Sequence, residues 1–184
     1  MTHEASFSGV SYQAEMPLGW QSGPLPATTV LQEWMHTNVV LLHALATMET
    51  QAPARDNESG NDMERKLERV EVKLDLALNL LSKLLAQHIP QPASCPVTLS
   101  ASGIEWIGQG TPPAGNIVIS LFINPRLAQP LLLPASVRHA STTAGGARIV
   151  AEFTHLSEEA QEWLERTVFR NHRRFIQSRH REES

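Results

Sequence analysis

The sequence predicts a small antiparallel β-sheet or barrel joined to long helices, and three observations predict it. A heptad of apolar residues runs through 62–88. Four segments rich in Val, Ile and Leu, separated by turn-forming clusters, follow from Cys95. An acid-led helix then closes the 184-residue chain.

Taken in order, residues 7–18 (FSGVSYQAEMPL) suggest one strand, with Phe7, Val10 and Tyr12 punctuating small polar residues, before Gly23-Pro24-Leu25-Pro26 breaks the chain. A helix is expected over 28–50, opened by a Thr29/Gln32 capping box. Its apolar face is broad: Val30, Trp34, Leu41, Leu45 and Met48, widened by Leu31, Met35 and Leu42. Such a face must be buried against something. Residues 51–61 read as a polar linker.

The helix expected over 62–88 is capped by Asn61 and Glu64 and stopped by Pro90. Leu67, Leu74 and Leu81 occupy its a positions, and Met63, Val70, Ala77 and Leu84 its d positions. An unbroken alternation of this kind is the pattern of a coiled coil. Leu78, Leu80 and Leu85 spread the stripe to e and g, so more than one neighbour has to cover it. Lys66 at g and Glu71 at e attract one another across a parallel pairing of two copies. Leu at a with β-branched Val70 at d favours four strands, so a parallel homotetramer is the expected assembly.

The β-rich segments are 96–108, 116–124, 131–141 and 147–154, separated by QGTPPAG, NPRLAQP and TTAGG. Ser157 caps the closing helix, with Glu158 and Glu159 in its first turn and Ala160, Trp163, Leu164, Thr167, Val168 and Phe175 along its apolar side.

Composition bounds the function classes. The single cysteine, Cys95, excludes an internal disulfide and fits a reducing compartment. The N-terminus has no signal-peptide pattern, and no window approaches the roughly 20 apolar residues of a membrane span. A cytoplasmic location is therefore expected. The net charge of −4 is unevenly spread: residues 1–54 hold no Lys or Arg, whereas 166–181 hold six arginines. Those arginines lack an aromatic platform and read as a solvated helix face, so no nucleic-acid partner is expected. Nucleophile elbow, zincin, Walker and dinucleotide fingerprints are missing, and the eight histidines are scattered. The reading is a non-enzymatic protein with no metal or cofactor.

One short text stands out: Thr98-Leu99-Ser100-Ala101-Ser102-Gly103-Ile104. It is similar to the Asp/Asn-x-Ser-x-x-Gly strand of PilZ domains, bacterial modules built on a six-stranded antiparallel barrel with a C-terminal helix. Asn116–Phe122, Ala135–Arg138, Val150–Phe153 and Leu156–Arg174 resemble later pieces of that family in order, so the resemblance covers 95–175. It implies that Ser100 and Gly103 are kept, while Thr98 replaces the Asp or Asn that contacts cyclic di-GMP. The family's R-x-x-x-R motif, which grips the ligand's phosphates, precedes its first strand; here nothing before Arg55 is basic. Arg65/Arg69, Arg166/Arg170 and Arg170/Arg174 repeat the spacing but read as helix-surface residues.

Only four β-segments follow residue 95, so a barrel of this kind needs a strand from 7–20. The helices then interrupt it: 1–26 and 91–184 form the PilZ-like barrel with its C-terminal helix, and 27–90 an inserted helical oligomerisation element. The expected function is a PilZ-like signalling adaptor with weak or no cyclic di-GMP binding, working through a protein partner in motility, type IV pilus function or virulence. A direct cyclic di-GMP receptor and a coiled-coil scaffold are the alternatives.

Overall fold

A computed structural model describes residues 9–50, 67, 70, 74, 91–124, 129–143 and 145–182. In chain order its elements are β1 (Ser11–Ser22), α1 (Thr28–Thr50), β2 (Ser94–Ser100), β3 (Gly103–Gly108), β4 (Asn116–Leu121), β5 (Leu131–Thr143), β6 (Gly146–Phe153) and α2 (Glu158–Glu182). The six strands close into an antiparallel barrel in the order β1-β2-β3-β6-β5-β4.

Alternation with period two builds the core. Val97 and Leu99, Ile104 and Trp106, Ile117, Ile119 and Leu121, Leu131 and Leu133, and Ile149 point inward and are almost fully buried. Each buried aliphatic side chain contributes roughly 1.5–3 kcal/mol. β1 closes the barrel by serving two neighbours: Ser11–Pro17 pair with β2, and Leu18–Ser22 pair with β4. Pro17, which has no N–H, stands where the strand changes partner, and its carbonyl accepts from Phe122 N. The early strand expected from 7–20 is therefore present, displaced a few residues toward the C-terminus.

Two local expectations are corrected. The segment 96–108 is two strands, β2 and β3, folded back on each other at Ser100–Gly103. Apolar alternation continues through both arms and hides the reversal. Helix α1 starts at Thr28, with Val30 N and Leu31 N donating to Ala27 O, so Ala27 and not Thr29 stands at the cap.

The buried stripe of α1 is Leu31, Met35, Asn38, Leu42 and Leu45, at helical spacing; Trp34 and Leu41 sit half-buried at its edge. That stripe packs on β5 and on α2. Helix α2 begins as expected, with Ala160 N donating to Ser157 Oγ at 3.2 Å. It lays Ala160, Leu164, Thr167 and Val168 on β1, β2 and α1. Trp163 is half-buried between the helices, with His43 edge-on at 5.0 Å and the Arg166 guanidinium over its ring at 5.0 Å. The side of α2 that faces β1 is pinned by His172 Nδ1, 2.7 Å from Ser11 O.

Of the heptad, Leu67, Val70 and Leu74 are described: all three are helical and 57–60% exposed. Met63, Ala77, Leu81 and Leu84 lie outside the described residues, as does most of 51–90.

Candidate functional site

The β2–β3 reversal carries the motif residues singled out in the sequence, and Thr98 and Ser100 line two different clefts. Ser100 is buried, and its hydroxyl is consumed locally. It accepts from Gly103 N at 3.0 Å and Ser102 N at 3.3 Å and donates to Gly103 O at 3.0 Å. A serine offers one proton and two lone pairs, so this hydroxyl is fully used in holding the turn. Gly103 is buried at the start of β3, where its neighbour in the ladder is Glu152.

Thr98 faces outward on the barrel wall, half-buried, with Gln13 beside it on β1 and Glu105 beside it on β3. The paired register of β2 and β3 runs only from Val97/Trp106 to Leu99/Ile104. Around this stretch lies a hollow of about 330 Å3, lined among others by Gln13, Glu15, Pro96, Thr98, Glu105 and Ile107. Ser100 lines a different cleft, of about 490 Å3, between the turn and α2.

The charge of the Thr98 hollow comes from carboxylates. Glu105 is buried and bound in two-pronged fashion by Arg148 of β6, Nε to Oε1 at 2.6 Å and Nη2 to Oε2 at 3.1 Å. A fork-to-fork pair of this kind is directional and strong for its size. The Glu105 carboxylate, by accepting from Arg148, raises the guanidinium's pKa still further and keeps its charge in place. Arg148 is thereby committed to a neighbouring carboxylate. At the mouth, Glu15 adds a second negative group, next to half-buried Cys95. Burial, helped by the Glu15 charge, pushes that thiol's pKa above its ordinary value. Glu105 and its partner escaped sequence reasoning. The signal available was an acid and a base at outward positions of two strands, whose pairing only the β3–β6 register reveals.

Of the spaced arginine pairs, Arg65 and Arg69 lie outside the described residues. Arg166, Arg170 and Arg174 are on α2, and Arg166 is paired with Glu162 one turn earlier. Among the described residues no group of three or more His, Cys, Asp or Glu is arranged to hold a metal, and no helix is long and apolar enough to cross a membrane.

Against known proteins, a family model described as "Atypical PilZ domain, cyclic di-GMP receptor" matches residues 42–181. No curated protein matches the chain. A solved structure from Xanthomonas campestris is similar over 92% of both chains, with a TM-score of 0.77 and 27% identity. It is described as a pathogenic protein with a tetrameric PilZ domain self-assembled through an unusual helical bundle. The Bacillus subtilis inhibitor of motility, MotI/DgrA, overlaps 42% of this chain and 41% of its own, at a TM-score of 0.35 and 14% identity. That likeness is too slight to bear on the fold.

Proposed function

The chain belongs to the atypical PilZ domain family, and from that premise we propose that it is a non-enzymatic cytoplasmic signalling adaptor that has little or no direct affinity for cyclic di-GMP. The observation that carries this reading is the setting of Thr98. Where the family motif has an Asp or Asn, a threonine stands beside Glu105, whose carboxylate holds the Arg148 guanidinium. A ligand with two phosphates would meet the Glu15 carboxylate there, while the Arg148 guanidinium is already engaged by Glu105. Ser100 has no hydrogen-bonding capacity left to offer.

The second half of the proposal is assembly. The helix carrying Leu67, Val70 and Leu74 forms a parallel homotetrameric bundle, in which 27–90 is an inserted oligomerisation element between the 1–26 and 91–184 parts of the barrel domain. The exposure of those three side chains and the tetrameric Xanthomonas relative support it. Signal output then passes through a protein partner, in motility, type IV pilus function or virulence.

A direct receptor is the competing reading, favoured by the description of the family model. Calorimetric titration with cyclic di-GMP separates the two. Little or no heat at micromolar nucleotide is expected; saturable submicromolar binding would overturn the adaptor reading.

A further inference from the structure

Helix α2 has a second face. Its buried side is Ala160, Leu164, Thr167 and Val168. At about 100° per residue, Glu162, Glu165, Phe169, Arg173 and Ile176 fall in one stripe on the opposite side, and all five are exposed. Phe169 and Ile176 are 51% and 42% exposed, and Val10, which lines the same cleft as Phe169, is 42% exposed. Large apolar groups left in water along one line mark a contact surface.

The charge order says what the contact is with. Residues 158–165 hold four acids and no base, whereas 166–181 hold six arginines and no acid. The stripe is thus acidic at its start, aromatic in its middle and basic at its end. Glu162 is paired with Arg166; Glu165 and Arg173 carry no ion pair among the described residues. The central part of that stripe, Glu165 to Arg173, is complementary to its own reverse, while Glu162, already paired with Arg166, falls opposite Ile176. Set antiparallel across a two-fold axis at Phe169, positions equally far from that residue oppose one another. Glu165 then meets Arg173 of the second copy, Arg173 meets its Glu165, and the two phenylalanines stack at the centre. Parallel pairing would set Glu165 against Glu165. An anionic membrane or a nucleic acid would be drawn to the arginines but repelled by the four acids that precede them.

We propose that this face of α2 is an isologous, antiparallel contact with a second copy of the chain, separate from any bundle formed by 62–88. The apolar centre supplies the affinity; the exposed charge pairs, weak individually, set the direction.

Sedimentation equilibrium of the full chain tests it, with Glu165→Arg, Arg173→Glu and the two combined. The unaltered protein should show a concentration-dependent step of about twofold in mass. Each single reversal should remove the step, since like charges then face each other, and the combined reversal should restore it. The same step should survive in Leu74→Asp, which separates this contact from failure or success of the bundle. Persistence of the step in both single variants, its absence from the unaltered protein, or no recovery in the combined variant overturns the proposal. A stripe serving a different protein or a lipid surface would give the second of these.

Discussion

Asn38 and Leu132 close a two-bond ring between helix and barrel: Asn38 Nδ2 donates to Leu132 O at 2.8 Å, and Leu132 N donates to Asn38 Oδ1 at 3.0 Å. The ladder explains why an amide is needed there. On one side Leu132 lies opposite Ser120 of β4, but β6 pairs with β5 only from Ala135 onward. The early part of β5 therefore has a second edge with no strand beside it, and the Asn38 side chain takes the place of one. Asn38 is 2% exposed and Leu132 half-buried, so these bonds are partly shielded from water. Asn38→Ala should cost about 1–3 kcal/mol, chiefly by leaving buried backbone groups unsatisfied. Urea unfolding should show a lower midpoint at unchanged slope; an unchanged midpoint would mean that α1 is dispensable to the barrel.

The Glu105–Arg148 pair links β3 to β6 across the wall next to Thr98. The carboxylate is 8% exposed and the guanidinium 29%, so water screens only one partner well. Glu105→Gln should cost about 1–3 kcal/mol, more than the 0–1 typical of surface pairs. In a double-mutant cycle, Glu105→Gln and Arg148→Met should show non-additive losses of stability. Additivity would mean that the pair contributes no coupling. By contrast, Arg138–Glu152 is exposed on both sides, and its removal should change little.

Much of this architecture is legible in the sequence because it rests on local pattern. Ser157 with Glu158 and Glu159 announces α2 by capping chemistry alone, and the alternation of Ile117, Ile119 and Leu121 announces β4. What was hidden depends on distant partners. The Ser100–Gly103 reversal contains no Asn-Gly or Pro; it is held by the Ser100 hydroxyl and, from the distant strand β6, by Phe153 N donating to Ser102 O at 2.9 Å. Asn38 reads as an ordinary polar position until β5 is placed against α1. Trp163 lies on the expected apolar side of α2 and packs at the margin of the core, but its contacts with His43 and Arg166 appear only once α1 is in place. In the candidate site, Thr98 was visible as a departure from the family motif, while the adjacent carboxylate was not.

Cys95 gives a pH-dependent readout of the barrel wall. Burial first, and then the negative charge of Glu15, raise its pKa, so at mildly alkaline pH the folded chain holds less thiolate than the unfolded one. Because the thiolate is the reactive form, iodoacetamide should label Cys95 more slowly in the native protein than in urea. The native rate profile should also be displaced to higher pH. Glu15→Gln should recover part of the displacement and leave the part due to burial. Equal profiles for native and unfolded chains would contradict this setting of the thiol.

The last prediction concerns the face that the isolated chain leaves open. Leu67, Val70 and Leu74 are helical and more than half exposed. Each such side chain, once buried, contributes roughly 1.5–3 kcal/mol, whereas a solvent-exposed ion pair contributes about 0–1. In the proposed bundle the apolar seam would therefore outweigh the Lys66–Glu71 attraction, whose part would be to select the parallel orientation. Replacing Leu74 and Leu81 together by Asp should lower the molar mass from tetramer to monomer or to the dimer held through α2. Arg65→Ala and Arg69→Ala, outside the seam at heptad positions f and c, should leave the mass unchanged. Circular dichroism on the Asp variant should retain the barrel's strand signal, since no described barrel core residue is altered. Multi-angle light scattering on the unmodified protein decides the matter. A monomeric mass at micromolar concentration would remove the basis for the bundle, because a coiled-coil seam of this length has to be covered by other copies to be stable in water.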